Sequence, residues 1–107
     1  MPFSASTALC GIVLHPAGHT RSPAMHNAAY AALGLDAIYL PFDVPEARLP
    51  DAMRGVRGLG IRQLSVSIPH KRSVLDHVDR VDATASRIGA ANTIVSRDGE
   101  LVASNTD

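Results

Sequence analysis

Three polar clusters hold the side chains of this sequence that could do chemistry. They occupy residues 19–23, residues 65–71, and residues 89–93 together with residues 105–107. Between them they supply hydroxyls, amides, a lysine and a carboxylate. Hydroxyls beside a helix N-terminus suit a carboxylate, amides suit alcohols, and a Lys/Asp pair can move a proton. Together these groups would suit a small polyhydroxylated ring acid.

Each cluster also has a plain structural interpretation. Thr20 and Ser22 before a proline are typical of a helix start, and Lys71 could be a solvated side chain behind the end of a strand. Asn92 and Asp107 could satisfy turn backbone, as Asn and Asp commonly do. The occurrence of all these clusters in one chain favours the functional interpretation.

Charge and cysteine content limit the classes of partner. The 107 residues include 10 basic and 10 acidic ones, so the formal net charge at pH 7 is +0, and only 4% are aromatic. This balance disfavours nucleic acid and an anionic membrane as partners and favours a small molecule. Cys10 is the one cysteine, and no apolar run approaches the roughly 20 residues of a membrane helix. We therefore expect a cytoplasmic protein without a targeting segment.

Five histidines raise the question of a metal site. They stand at positions 15, 19, 26, 70 and 77, without an HExxH-like or paired Cys/His spacing. We therefore expect no metal. His26 is interpreted as a packed or capping histidine on a helix.

The hydrophobic pattern predicts the elements that position the clusters. An apolar run over residues 8–14 predicts a first strand, and Ser22 as cap predicts a helix that ends at Gly34. That helix should bury small apolar residues at helical spacing, namely Met25, Ala28, Ala29 and Ala32. A second strand is predicted over residues 37–42, and a second helix should end at Gly58. The apolar positions of the second helix are Leu49, Ala52, Met53 and Val56.

The second half of the chain predicts a strand, two helices and a hairpin. Residues 63–68 alternate and stop at Pro69, just before Lys71. A helix is predicted next from the spacing of Val74, Leu75, Val78 and Val81. A second short helix should run over about residues 82–88, and residues 93–105 predict a hairpin around an Asp-Gly pair.

Strands that alternate with helices favour an α/β fold. We expect a mainly parallel sheet with helices on both faces and a C-terminal β-hairpin. Ligands of such sheets bind in the crevice beyond the carboxyl ends of the strands. The loops at residues 15–22 and 69–71 both leave the sheet at that edge, so the polar clusters should converge there.

The same clusters carry a resemblance to a known family. Residues 19–27, HTRSPAMHN, resemble the HSxSPxMHN motif of shikimate dehydrogenases, and residues 65–71, SVSIPHK, resemble their NVTIPHK motif. Residues 91–93 and 105–107 match their ANT and NTD motifs. Four ordered motifs at fitting intervals make the resemblance specific, and it covers nearly the whole chain from about Ala8.

The resemblance implies an NADP-dependent oxidoreductase that interconverts 3-dehydroshikimate and shikimate, a step of aromatic amino acid and chorismate biosynthesis. It implies that Thr20 and Ser22 hydrogen-bond the substrate carboxylate. It also implies that Ser67 and Asn92 contact ring hydroxyls.

The same resemblance implies that Lys71 and Asp107 bind the substrate and form the catalytic pair. They would flank the alcohol that is oxidised, relaying its proton and stabilising charge on its oxygen while hydride leaves for the nicotinamide. Which of the two acts as the base stays open.

Departures from the family motifs leave the exact substrate open. Thr20 stands where the family usually has serine, and Ser65 and Ser67 stand where it has asparagine and threonine. Ser65 therefore lacks an amide donor. Leu14 and His15 replace a Gly-Asn pair and change the shape of the first loop. Quinate, an amino analogue of shikimate or another cyclic polyol acid would suit the same polar groups as shikimate.

Members of the family continue into a Rossmann domain that binds NADP, whose fingerprint is GxGxxG. Gly55, Gly58 and Gly60 give only the reversed spacing GxxGxG. We therefore expect residues 1–107 to form the substrate-binding domain, with no cofactor-binding residue in this chain. The nucleotide half would lie in a continuation of the chain or on a separate one, and this chain alone should be inactive.

A non-catalytic module is the main alternative to an enzyme. It would bind a cyclic hydroxy acid such as quinate or shikimate, or a partner chain, and would not act together with a nicotinamide cofactor. Under both hypotheses Thr20 and Ser22 bind the carboxylate, but only an enzyme has a strong need of Lys71 together with Asp107. The choice of NADP or NAD and the oligomeric state, with a homodimer among the alternatives, also stay open.

Overall fold

A six-stranded mixed sheet forms the centre of the computed structural model, which describes residues 3–107. The strands are β1 (Ala8–Leu14), β2 (Ala37–Asp43), β3 (Gln63–Val66), β4 (Arg80–Val81), β5 (Thr93–Arg97) and β6 (Glu100–Ser104). The helices are α1 (Ser22–Leu33), α2 (Leu49–Leu59) and α3 (Ala83–Ile88), with short 3-10 helices at Glu46–Arg48 and Ser73–His77. The strand order is β2-β1-β3-β5-β6-β4.

The strand pairing confirms the predicted fold class. β1 pairs in parallel with β2 and β3, and β4 pairs in parallel with β6. β5 pairs antiparallel with β3 and with β6, which makes β5 and β6 the predicted C-terminal hairpin. Its turn residues Asp98 and Gly99 have φ angles of 50° and 81°, the left-handed values that a tight hairpin turn needs. The carboxyl ends of β1, β2 and β3 consequently meet at one edge.

Helices cover both faces of the sheet, as expected. One apolar cluster joins α2 and α3 to the sheet, and a smaller one around Cys10 and Tyr39 lies beneath α1. In α2 the buried residues are Leu49, Met53 and Val56, each predicted from the helical spacing. Burial of such a side chain contributes about 1.5–3 kcal/mol. The helix does not end at Gly58 as predicted but at Gly60, whose φ of 69° provides the left-handed cap.

The predicted orientation of α1 is wrong. The helix buries none of its residues fully, and Met25, Ala28, Ala29 and Ala32 are all exposed. It contacts the sheet through His26, Asn27 and Tyr30 instead, which are half-buried. The physical reason is that polar groups provide the contact, since the Asn27 amide bonds both backbone groups of Tyr39 at 2.9 Å. A pattern based on apolar residues does not detect such a contact.

The predicted cap of α1 is also wrong. Arg21 occupies the N-cap position and provides no side-chain hydrogen bond, while Ser22 is the first helical residue. The backbone N–H of Ser22 donates to Thr20 Oγ1 over 3.4 Å. Thr20 therefore contributes the local hydroxyl acceptor that was expected from Ser22.

The helix predicted around residues 74–81 is not formed. Only the 3-10 helix Ser73–His77 is present, Val78 is extended, and Val81 lies in β4. Asp79 explains the difference, because its backbone N–H donates to the Leu101 carbonyl and its carboxylate accepts from the Leu101 N–H at 2.7 Å. These bonds hold the segment against β6 in extended form. The short helix that follows is present as predicted, capped by the Asp82 side chain.

Among residues 3–107, no helix has the length and apolar character that crossing a membrane would require.

Candidate active site

The ends of three parallel strands form a common rim. The backbone N–H of His15 donates to the Ile68 carbonyl over 3.0 Å, which joins the loops that follow β1 and β3. The end of β2 is attached as well, because the Val44 N–H donates to the Leu14 carbonyl and His70 Nε2 donates to the Val44 carbonyl over 2.7 Å. His70 is fully buried and acts as the anchor of its loop. The two loops expected to converge are therefore adjacent.

Lys71 and Asp107 form an ion pair at this rim. Lys71 Nζ lies 3.6 Å from Asp107 Oδ2, and the two side chains are 39% and 69% exposed. The Lys71 carbonyl accepts from the Ala91 N–H at 2.8 Å, which fixes the backbone of the lysine. The Asn105 side chain accepts from the Asp107 N–H at 2.9 Å and donates to the Ala90 carbonyl at 3.0 Å. A cation and an anion thus stand together where a ligand can reach both.

Asn92 keeps the terminal segment beside Lys71. Its Nδ2 donates to Thr106 Oγ1 at 3.0 Å, and its Oδ1 accepts from the Thr106 N–H and from Thr93 Oγ1. Both lone-pair directions of Oδ1 are therefore occupied. One N–H of the amide is left, so Asn92 can still donate to a ligand while it serves the structure.

The loop that leaves the rim after β1 leads directly into the N-terminus of α1. Thr20 and Ser22 are half-buried, and Thr20 Oγ1 accepts from the Ser22 N–H, so the Thr20 proton is available to a ligand. The first turn of α1 contains no acidic residue. A helix N-terminus with two hydroxyls and no negative charge favours an anion.

Ser65 lies on the sheet face that α1 covers, and Ser67 directly follows the end of β3. Ser65 Oγ accepts from the Tyr39 hydroxyl at 2.6 Å, whereas no protein group within residues 3–107 bonds the Ser67 hydroxyl. The sequence pattern did not indicate Tyr39 as a site residue, because Tyr39 lies in a predicted strand of mostly apolar residues. Burial raises the pKa of Tyr39 above its ordinary value, so the phenol keeps its proton and donates.

A further hydrogen-bonded pair lies at the edge of the rim. His15 Nδ1 and Asp43 Oδ1 are 2.7 Å apart, and they join the loop after β1 to the end of β2. The hydrogen bond from His15 lowers the pKa of the Asp43 carboxyl below its ordinary value. From the sequence, His15 was notable only as a departure from a motif.

The three glycines of residues 55–60 do not form the turn of a nucleotide-binding motif. Gly55 and Gly58 lie inside α2 and Gly60 ends it, so these glycines do not form a phosphate-binding turn before a helix. Within residues 3–107 there is also no group of three His, Cys, Asp or Glu side chains that could hold a metal ion.

Comparisons with known proteins agree on one family. The model of the family described as "Shikimate dehydrogenase substrate binding domain" matches residues 12–94. A shikimate dehydrogenase (NADP(+)) of Symbiobacterium thermophilum is 50% identical over 99 residues, which cover 92% of this chain and 34% of that relative. The chain thus spans about a third of the length of the curated relative.

Solved structures give the same result. A shikimate 5-dehydrogenase from Listeria monocytogenes in complex with shikimate and NAD is 38% identical, with a TM-score of 0.93 over 97% of this chain and 36% of its own. A ligand-free 5-ketofructose reductase of Gluconobacter sp. is 36% identical, with a TM-score of 0.92 over 96% of this chain and 37% of its own. This chain therefore belongs to the family of shikimate dehydrogenase substrate-binding domains.

Proposed function

We propose that residues 1–107 are the substrate-binding domain of an NADP-dependent shikimate dehydrogenase, which interconverts 3-dehydroshikimate and shikimate in aromatic amino acid and chorismate biosynthesis. The observation that carries the proposal is the pair of Lys71 and Asp107, 3.6 Å apart beside a rim of hydroxyl and amide groups. The name of the relative from Symbiobacterium thermophilum supports the activity and the cofactor. We propose a cytoplasmic location for it.

The proposed roles follow from the chemistry of each group. Thr20 and Ser22 hydrogen-bond the carboxylate of the substrate at the N-terminus of α1. The Ser67 hydroxyl and the remaining N–H of Asn92 bind ring hydroxyls. These contacts orient the ring and change little during the reaction, so they contribute mainly to binding.

Lys71 and Asp107 act on the alcohol that is oxidised. The pair takes the hydroxyl proton as the carbonyl forms, and the Lys71 ammonium stabilises negative charge on that oxygen. The nicotinamide, when bound, supplies the hydride acceptor or donor. The nucleotide-binding half of the protein would hold it, so residues 1–107 alone should have no dehydrogenase activity.

The substrate could also be a relative of shikimate. Ser65 and Ser67 are shorter than the residues usual at their positions, which leaves more room beside the ring. Quinate is therefore a second candidate. A neutral keto sugar is a third, because the reductase from Gluconobacter sp. is similar over nearly the whole chain.

A chemical-shift titration of residues 1–107 tests the proposal. Shikimate, quinate and 5-ketofructose at millimolar concentrations should each be compared, and a cyclic hydroxy acid should shift resonances at Thr20, Ser22 and Lys71. Binding should be weak, because the half of the protein that would exclude water from the ligand is not included. Ser22→Ala should weaken it, while Ser86→Ala, at an exposed serine of α3, serves as the matched control.

Two results would contradict the proposal. The first is that none of these ligands moves a resonance near Thr20, Ser22 or Lys71. The second is measurable NADP binding to residues 1–107, which would mean that the cofactor half had been assigned to the wrong part of the protein.

A further inference from the structure

Tyr39 lies inside β2, in the buried cluster beneath α1, and is not part of the rim. It is fully buried in β2, with 0% of its surface exposed. Its hydroxyl donates to Ser65 Oγ at 2.6 Å, a short distance for two neutral hydroxyls. Tyr39 therefore cannot touch a ligand and can influence one only through a neighbouring side chain.

The position of Tyr39 is fixed by groups on α1. The Asn27 side chain donates to the Tyr39 carbonyl and accepts from the Tyr39 N–H, both at 2.9 Å. The His26 ring stacks on the Tyr39 ring, with centroids 3.9 Å apart and an interplanar angle of 6°. His26 Nδ1 must donate to the Ser22 carbonyl at 2.9 Å, since a carbonyl only accepts. The phenol is thus held from its backbone and its ring.

The hydroxyl of Tyr39 determines what Ser65 can do. A phenol is a stronger acid than an aliphatic alcohol, so Tyr39 is the donor of the pair and Ser65 Oγ the acceptor. Ser65 then keeps its own proton for another partner. Hydrogen bonds in such a chain polarise one another, which makes Ser65 a better donor than an isolated serine.

The Ser65 hydroxyl can donate its proton to a ligand. Ser65 is half-buried and precedes the last residue of β3, two positions before Ser67. Its neighbour across the sheet, Thr93, directs its own proton to Asn92 Oδ1 at 2.9 Å. The Ser65 hydroxyl donates to no acceptor among residues 3–107, so its proton is available to a ligand oxygen.

We propose that Tyr39 is a positioning residue that holds Ser65 as a hydrogen-bond donor to a ligand oxygen, so that the site selects ligands with a hydroxyl or keto oxygen at that place. The inference rests on the proposed function, because it needs a small oxygen-rich ligand in the crevice. The pair of Tyr39 and Ser65 thereby supplies a directed donor where an amide is absent.

The test compares two tyrosine variants of residues 1–107 in a chemical-shift titration with shikimate. Tyr39→Phe keeps the stacked ring and the Asn27 bonds and removes only the hydroxyl. It should weaken binding about 3- to 10-fold, the effect of one hydrogen bond. Tyr30→Phe is the matched control, since Tyr30 packs against the cluster around Cys10 and does not bond Ser65, and should bind within about twofold of the parent.

A double-mutant cycle separates positioning from a general structural effect. If Tyr39 acts through Ser65, then Tyr39→Phe should cause no further loss of affinity in a Ser65→Ala background. Additive losses of affinity would mean that Tyr39 acts by another route and would overturn the inference.

A measurement without ligand adds an independent test. Three-bond couplings of Ser65 should indicate one χ1 rotamer in the parent and averaging over rotamers in Tyr39→Phe. A parent Ser65 that already averages its rotamers would overturn the inference, whether or not the variants fold.

The outcomes distinguish this inference from the proposed function. If the parent binds shikimate and Tyr39→Phe binds it equally well, the inference fails and the proposed function stands. If the parent binds neither shikimate nor quinate nor 5-ketofructose, the proposed function fails and the inference fails with it.

Discussion

In the proposed function, the side chains at the rim divide into groups that bind the substrate and a pair that acts on it. We propose Ser22 as one of the binding groups, because a carboxylate keeps its charge throughout an alcohol oxidation. In a protein that joins residues 1–107 to the nucleotide-binding half, Ser22→Ala should raise KM about 10-fold or more, since hydrogen bonds to charged groups contribute about 1.5–3 kcal/mol. The value of kcat should change little.

Steady-state kinetics with shikimate would measure both parameters, with Ser86→Ala in α3 as the matched control. A fall in kcat without a rise in KM would contradict the binding role of Ser22.

Asp79 allows a prediction of pH dependence. The hydrogen bond from Arg57, at 2.6 Å, and the Leu101 N–H lower the pKa of the Asp79 carboxyl below its ordinary value of 3.8. The resulting stability is present above the pKa of the unfolded chain and is lost as the pH falls through the lower pKa of the folded state. Asp79→Asn, which keeps the size and the acceptor, should therefore be less stable than the parent at neutral pH.

Urea denaturation from neutral pH downward would measure this difference, which should shrink below pH 3.8. Asp76→Asn is the control, because Asp76 is exposed and has no ion pair among residues 3–107. A difference that grows as the pH falls would show the wrong sign.

The sequence predicts some site residues and not others, for a physical reason. Lys71 and Asp107 stand in short polar motifs at strand ends, and the occurrence of several such motifs in one chain indicates them as site candidates. Tyr39 stands inside a strand, where aromatic residues are common, and only the fold brings its hydroxyl to Ser65. Contacts between residues 26 positions apart have no local signal.

At the scale of elements, α1 is where the hydrophobic pattern fails. Asn27→Ala would leave the N–H and carbonyl of Tyr39 in β2 without their partners and should lower the free energy of unfolding by about 1–3 kcal/mol. Met25→Ala should cost less than about 0.5 kcal/mol, because Met25 is 68% exposed.

Chemical denaturation of residues 1–107 would compare the two variants. Met25→Ala would be the more destabilising of the two variants if α1 packed through Met25 and its alanines, as the apolar spacing predicts.

Elements with one apolar stripe were predicted more reliably. In α2 the spacing of Leu49, Met53 and Val56 indicates the buried face directly, because each packs against the sheet. The segment that contains Val78 and Val81 has a similar spacing but forms no helix. There Asp79 bonds β6, and this tertiary contact outweighs a weak helical preference.

At the scale of the whole molecule, the order of the strands in the sheet determines which loops meet at the rim. β1 and β3 are parallel neighbours, so the loops after them must emerge together at the carboxyl edge. The cluster at residues 89–93 reaches the same edge because β5 runs antiparallel to β3. The sequence indicates that these clusters belong together, but the 3.6 Å approach of Lys71 to Asp107 depends on the complete sheet.

The central claim is that Lys71 acts in the chemical step, and kinetics of Lys71→Ala test it most directly. In the protein that carries the nucleotide-binding half, kcat should fall about 10²- to 10⁴-fold, the range of general acid–base groups. KM should change much less, because the lysine acts mainly in the transition state. A kcat within about threefold of the parent, with the variant folded, would contradict the claim and leave Lys71 only a binding role.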